Sequence, residues 1–190
     1  MKKLVYFFAI GAIAALSITS CSKKEDVKPK DQGIGDEEAI TRYTLTLTSG
    51  TVTGTASFND PDDSGPIVPT ITGLTLKAGL TYSGTISVYD DSKTPVVFVN
   101  QEIEEESDAH RFHYIFSPSE GSGVNIVTTI SDVDSNGNPL GLTYSLAVGT
   151  ATGTGKLRVI LRHFDETTKT DNPVDGEADI DQDFDVTVVN

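Results

Sequence analysis

Oxygen donors recur at alternate positions in two loops of the sequence. Asp132-Val-Asp134-Ser-Asn136-Gly137-Asn138 sets side-chain oxygens at positions one, three and five with a glycine at six, where a calcium loop must turn sharply. A hard cation takes about six to eight oxygens, and an EF-hand draws two of them from a Glu at position twelve. That position is Thr143 here. Asp60, Asp62 and Ser64, ahead of Gly65, form a looser version whose twelfth position is Ile71. Ca2+ is the candidate cofactor of both loops. Asp, Asn and Gly are also the residues that hairpin turns need, because they tolerate left-handed φ and bond to their own backbone, so each loop also reads as a plain turn.

A transition metal would use a different set. His110 and His113 follow the acidic stretch Glu102, Glu104, Glu105, Glu106 and Asp108, and Glu106 with the two histidines offers carboxylate and imidazole ligands. A strand starting near Arg111 would point Phe112, Tyr114 and Phe116 inward. It would leave His113 on the wet face and set His110 at the strand's mouth. The remaining histidine, His163, is in phase with Leu157, Val159 and Leu161 and reads as the end of a buried row. The sequence has no GxSxG elbow, HExxH, P-loop or GxGxxG, and Trp, the commonest sugar-stacking platform, is absent, so a non-enzymatic role is expected.

The elements that must position these residues alternate with a period of two. Tyr43, Leu45 and Leu47 alternate with threonines, as do Gly54, Ala56 and Phe58, and Tyr82, Ile86 and Val88 alternate with Thr and Ser. The pattern returns at Phe112 to Phe116, Leu142 to Val148, Leu157 to Leu161 and Phe184 to Val188. Such alternation means antiparallel strands with one buried and one wet face. About eight or nine strands separated by Gly- and Asp-rich turns predict an all-β, Ig-like antiparallel sandwich. One short acidic helix is expected within Asn100 to His110, with Asn100 as its cap. Asp179, Asp181, Asp183 and Asp185 fall on one face of the last strand, where they read as a charged sheet edge that discourages further pairing.

The amino-terminal segment argues location. Lys2 and Lys3 precede a thirteen-residue apolar run, Leu4 to Leu16, which is shorter than the ~20 residues a membrane span needs and reads as an export signal. Ile18-Thr19-Ser20-Cys21 resembles the lipobox of bacterial lipoproteins, in which the signal is cut before a cysteine that is then acylated. The expected organisation is a signal over 1–20, a lipidated Cys21 with a flexible acidic tether over 21–38, and a β-sandwich over 39–190. Acyl chains at ~0.8 kcal/mol per buried methylene would anchor the chain firmly. The net charge of −14 over 190 residues argues against nucleic acid as a partner. The single Cys excludes an internal disulfide framework.

Over its whole length the sequence resembles a group of small, uncharacterised Bacteroidota-type lipoproteins, through the lipobox, the acidic tether, Tyr43 to Thr48, Gln101 to His110 and Asp134 to Leu142. Members often carry a type 1 periplasmic binding fold label. That label implies alternating strands and helices over a much longer chain, which these residues contradict. The resemblance implies an outer-membrane, lipid-anchored protein of the Gram-negative envelope, facing either the periplasm or the cell surface, with some members accessory to uptake receptors. The leading reading is a lipid-anchored envelope sandwich that binds a partner or ligand, with calcium as a stabiliser. The alternatives are a metal-capturing lipoprotein using the acidic turn with His110 and His113, and a structural or adhesive surface protein.

Overall fold

The computed structural model describes residues 39–62, 65–164 and 168–190, all within one compact unit. The segments expected as signal and tether, with Cys21 between them, lie outside the described residues, as do Asp63 and Ser64 of the first acidic loop. No helix among the described residues is long and apolar enough to cross a membrane.

The chain runs β1 (Arg42–Ser49), β2 (Val52–Asn59), β3 (Thr70–Thr72), β4 (Leu74–Lys77), β5 (Thr81–Asp90), β6 (Val97–Phe98), α1 (Asn100–Glu105), β7 (His110–Pro118), β8 (Ile126–Ile130), β9 (Thr143–Val148), β10 (Gly153–His163) and β11 (Glu177–Val189). These strands make an all-β sandwich. One sheet has the order β3-β2-β1-β5-β9-β8 with β6 added to β5, and the other has β4-β11-β10-β7. Its strand count exceeds the expected eight or nine because β3, β4 and β6 are only two to four residues long, too short to show a period.

The alternation seen in the sequence is the alternation of burial. Tyr43, Leu45 and Leu47 of β1 are buried, as are Tyr82, Ile86 and Val88 of β5 and Phe184, Val186 and Val188 of β11. The two sheets meet through aromatic contacts: Tyr43 packs edge-on to Phe184 at 6.0 Å, and Tyr114 stacks on Tyr144 at 4.0 Å. Gly84 has to lack a side chain, because a Cβ there would sit 2.5 Å from the Tyr144 ring.

Two expectations need correction, and a third holds along part of its strand. The pairing is not wholly antiparallel, since β4 runs parallel to β11. β11 is flanked on both sides only at its end, where β4 pairs with Val186 to Val189; from Glu177 to Asp185 its ladder partner among the described residues is β10, so the four aspartates lie along a sheet edge as expected, and Asp181 and Asp185 face Arg158 and Lys156 across the ladder. The short acidic helix falls within the expected stretch, but Asn100 is its first residue and does not cap it. The Asn100 side chain instead accepts the Val88 N–H at 2.7 Å and donates to the Ile86 carbonyl at 2.9 Å, which are the ladder groups of β5 between its pairings with β9 and β6.

Candidate functional site

Three elements converge at one corner of the four-stranded sheet. At the end of α1, the Glu106 N–H donates to the Glu102 carbonyl and the Ala109 N–H to the Glu106 carbonyl, turning the chain into β7. His110 is the first residue of β7 and pairs directly with His163, the last residue of β10. Residues directly opposite in an antiparallel pair hold their Cβ atoms about 5 Å apart. The two imidazoles stack at 4.5 Å between centroids with planes 23° apart. His110 and His163 are both buried, while Glu106 is partly exposed. One ligand atom from each of Glu106, His110 and His163 lies within 4.8 Å of the others.

His110 Nδ1 is 3.0 Å from the Glu106 carbonyl oxygen. A carbonyl only accepts, so Nδ1 carries the proton in that bond and Nε2 is the lone-pair nitrogen of the neutral ring. Glu106 therefore serves His110 with its backbone and adjoins it with its carboxylate.

His113 does not join this group. Alternation along β7 puts His110 on the face of Phe112 and Tyr114, and His113 on the opposite face with Arg111. That face is not wet as expected. Arg111 pairs with Asp171 at 2.5 Å and Arg162 donates to the Pro173 carbonyl at 2.8 Å, so the segment after residue 168 is drawn over this corner and His113 is buried. Burial, together with Arg111 and Arg162, pushes His113 down to about 4 against a weaker opposing pull from Asp171. Of the residues expected together, the structure brings Glu106 and His110 close to His163, and places His113 on the opposite face of β7. The phase of His163 was readable, whereas its pairing with His110 was not.

In the second acidic loop the two aspartates have separate tasks. Asp132 accepts the Gly141 N–H at 2.8 Å and the Thr143 N–H at 3.1 Å. Asp134 accepts the N–H groups of Asn136 and Asn138 at 2.8 and 2.9 Å, closing the turn on itself. Asn138 also brings its side-chain amide to Asp134 at 3.4 Å. The buried Lys169 ammonium lies 3.0 Å from the Asp134 carboxylate. Burial alone would raise the Asp134 pKa, but the Asn138 and Asn136 N–H groups and Lys169 hold it down to about 2. In the first acidic loop, Asp62 accepts the Ile67 N–H at 3.0 Å, again a bond within the loop.

The outward faces of the two sheets differ in character. On the seven-stranded sheet the registers align Thr53, Thr48, Ser83, Ser145 and Thr129 in one cross-strand row, and Thr55, Thr46, Thr85 and Thr143 in the next. A third row runs Thr72, Ser57, Thr44 and Ser87, and a fourth Thr70, Asn59, Arg42, Tyr89 and Phe98. Arg42 is the one charged side chain in these four rows. It lies 4.0 Å over the Tyr89 ring and bonds to Asp91 with both Nε and Nη2. The four-stranded sheet shows charge instead: Lys156 pairs with Asp185 at 2.9 Å, and Arg158 grips Asp181 through two bonds of 2.6 Å.

The fold and these faces define a β-sandwich with a cluster of two buried histidines and a partly exposed Glu106, and a hydroxyl-lined sheet face with Arg42 as the single charged residue of four rows. No protein-family model, curated protein or solved structure matches the chain.

Proposed function

We propose that this protein is a lipid-anchored component of a Gram-negative envelope whose β-sandwich docks a partner protein and catalyses no reaction. Cys21 would carry the acyl chains, and residues 22–38 would hold the domain off the bilayer over roughly 20–25 Å. The partner meets the outer face of the seven-stranded sheet.

Segregation of charge carries this reading. In a chain of net charge −14, four adjacent rows of that face hold Ser, Thr and Asn with a single charged residue, Arg42. Depletion of charge is the compositional mark of an interface centre, and aromatic and Arg side chains are its usual anchors. Arg42, Tyr89 and Phe98 supply such anchors in one row, with Phe98 left exposed. Short hydroxyl side chains also have less rotamer entropy to lose on contact than Lys or Glu. An outer-membrane uptake receptor is the partner class that the resemblance implies.

The test is co-purification of the full chain from solubilised outer membranes. A receptor recovered with the wild type and lost with a Thr46→Arg, Thr85→Arg double variant supports the reading. Equal recovery with both proteins removes this face as the docking surface. A Cys21→Ala variant is expected in the soluble fraction, and its retention in the membrane would end the lipid-anchor reading.

A further inference from the structure

We infer that Glu106, His110 and His163 form a transition-metal site of the zinc class, which ties the end of α1 and the start of β7 to the end of β10. The inference is independent of the membrane anchor and of the hydroxyl-lined face, so either can fail without the other.

The donor chemistry comes first. Two imidazole nitrogens and one carboxylate suit Zn2+ and its first-row neighbours, whereas Ca2+ and Mg2+ want oxygens. The spacing is nearly that of a formed site. Ligands about 2.0–2.1 Å from a tetrahedral zinc stand roughly 3.3 Å from one another. One donor atom from each of the three already lies within 4.8 Å of the others, so the set is close to ligating distance, and the stacked rings would turn out of their stack to aim both lone pairs at one ion.

The supports are those of a metal site. His110 and His163 are a directly opposed pair on two long strands, so their relative position is fixed by the β7 and β10 ladder and not by a loop. The Glu106 carbonyl, 3.0 Å from His110 Nδ1, orients that ring and assigns its proton, which leaves Nε2 as the ligand atom. Metal-bound histidines nearly always have such a second partner. Burial of both histidines limits competition by water, and the partly exposed Glu106 leaves a side from which the ion enters. Three protein donors leave a further coordination position for water or for a ligand atom. The alternative is a stacked histidine pair that serves packing only.

The deciding experiment uses the full chain in detergent, stripped with a chelator and titrated with ZnCl2 by calorimetry. One zinc per chain with a Kd of micromolar or below is expected, and Co2+ in place of zinc should give the intense visible absorption of a four-coordinate site. His163→Gln and His110→Gln should each weaken binding roughly a hundredfold or more, while His113→Gln leaves it unchanged. Circular dichroism of each variant separates lost ligands from lost folding, and the wild-type stoichiometry and Co2+ spectrum need no variant at all. Absence of stoichiometric zinc binding by the wild type overturns the inference and leaves the packing pair. So does a His113→Gln variant that loses as much affinity as His163→Gln.

Discussion

Asp134 is buried with one carboxylate oxygen closing its own turn and the other facing Lys169, whose ammonium also donates to the Ser107 carbonyl at 2.8 Å. Removing one partner of a buried ion pair leaves a charge with no counter-charge in a medium that solvates it poorly, which costs about 3–5 kcal/mol. Lys169→Met should therefore lower the urea-unfolding free energy by about that amount. Adding Asp134→Asn to it should restore a good part, because the remaining amide is neutral and can still accept from Asn136 and Asn138. A double variant no more stable than the single one would mean that Lys169 acts through packing alone. The sequence displayed Asp134 as an oxygen donor in a turn with calcium-like spacing, but it could not display the lysine that the fold brings against it. The histidines repeat the lesson. Glu106 and His110 are neighbours through a single turn of chain and were legible together, whereas His163 reaches them only through the β7 and β10 register.

Asn100 has the residue type and position of a helix cap, yet it completes a strand. β9 covers one side of β5 as far as Thr85, the Ile86 N–H goes to the Leu142 carbonyl, and β6 resumes the ladder at Tyr89. Between them the Ile86 carbonyl and Val88 N–H would be buried without partners, and the Asn100 amide serves both. Asn100→Ala is expected to cost about 2–6 kcal/mol in urea denaturation, since two buried backbone groups lose their bonds at about 1–3 kcal/mol each. A loss below about 1 kcal/mol would show that water replaces the amide. The long strands were legible because each has one wet face and one dry face, and this imposes the period of two on the sequence. Their neighbours were not. The aspartates of β11 mark an edge, but the strand on their other side, and the Lys156 and Arg158 it brings to Asp185 and Asp181, follow only from the β10 register. The parallel contact of β4 with β11 leaves no mark on a four-residue strand whose burial still alternates.

Across the whole domain, acid stability is set by two kinds of group that act in different pH ranges. His113 is pushed down to about 4 from an ordinary 6.5 by burial and by Arg111 and Arg162. Above pH 6.5 it is neutral whether the chain is folded or not. Between 6.5 and 4 the unfolded chain takes a proton that the native fold refuses, so stability falls as the pH drops through that window and the effect saturates below it. The carboxylates act lower and for the opposite reason. Asp91 is lowered by its bonds to Arg42, Asp181 by those to Arg158, and Asp134 reaches about 2. Their stabilisation is complete above the ordinary carboxylate value of 3.8 and is lost as the pH falls through their native values. Urea midpoints measured in chelator from about pH 8 to about pH 2 should therefore fall in two stages. His113→Gln should flatten the upper stage and leave the lower one in place. His110 and His163 are present in both proteins, so the difference between the two curves belongs to His113. An unchanged upper stage in the variant would reject that assignment and, with it, the closure of this corner by the segment that carries Asp171 and Pro173.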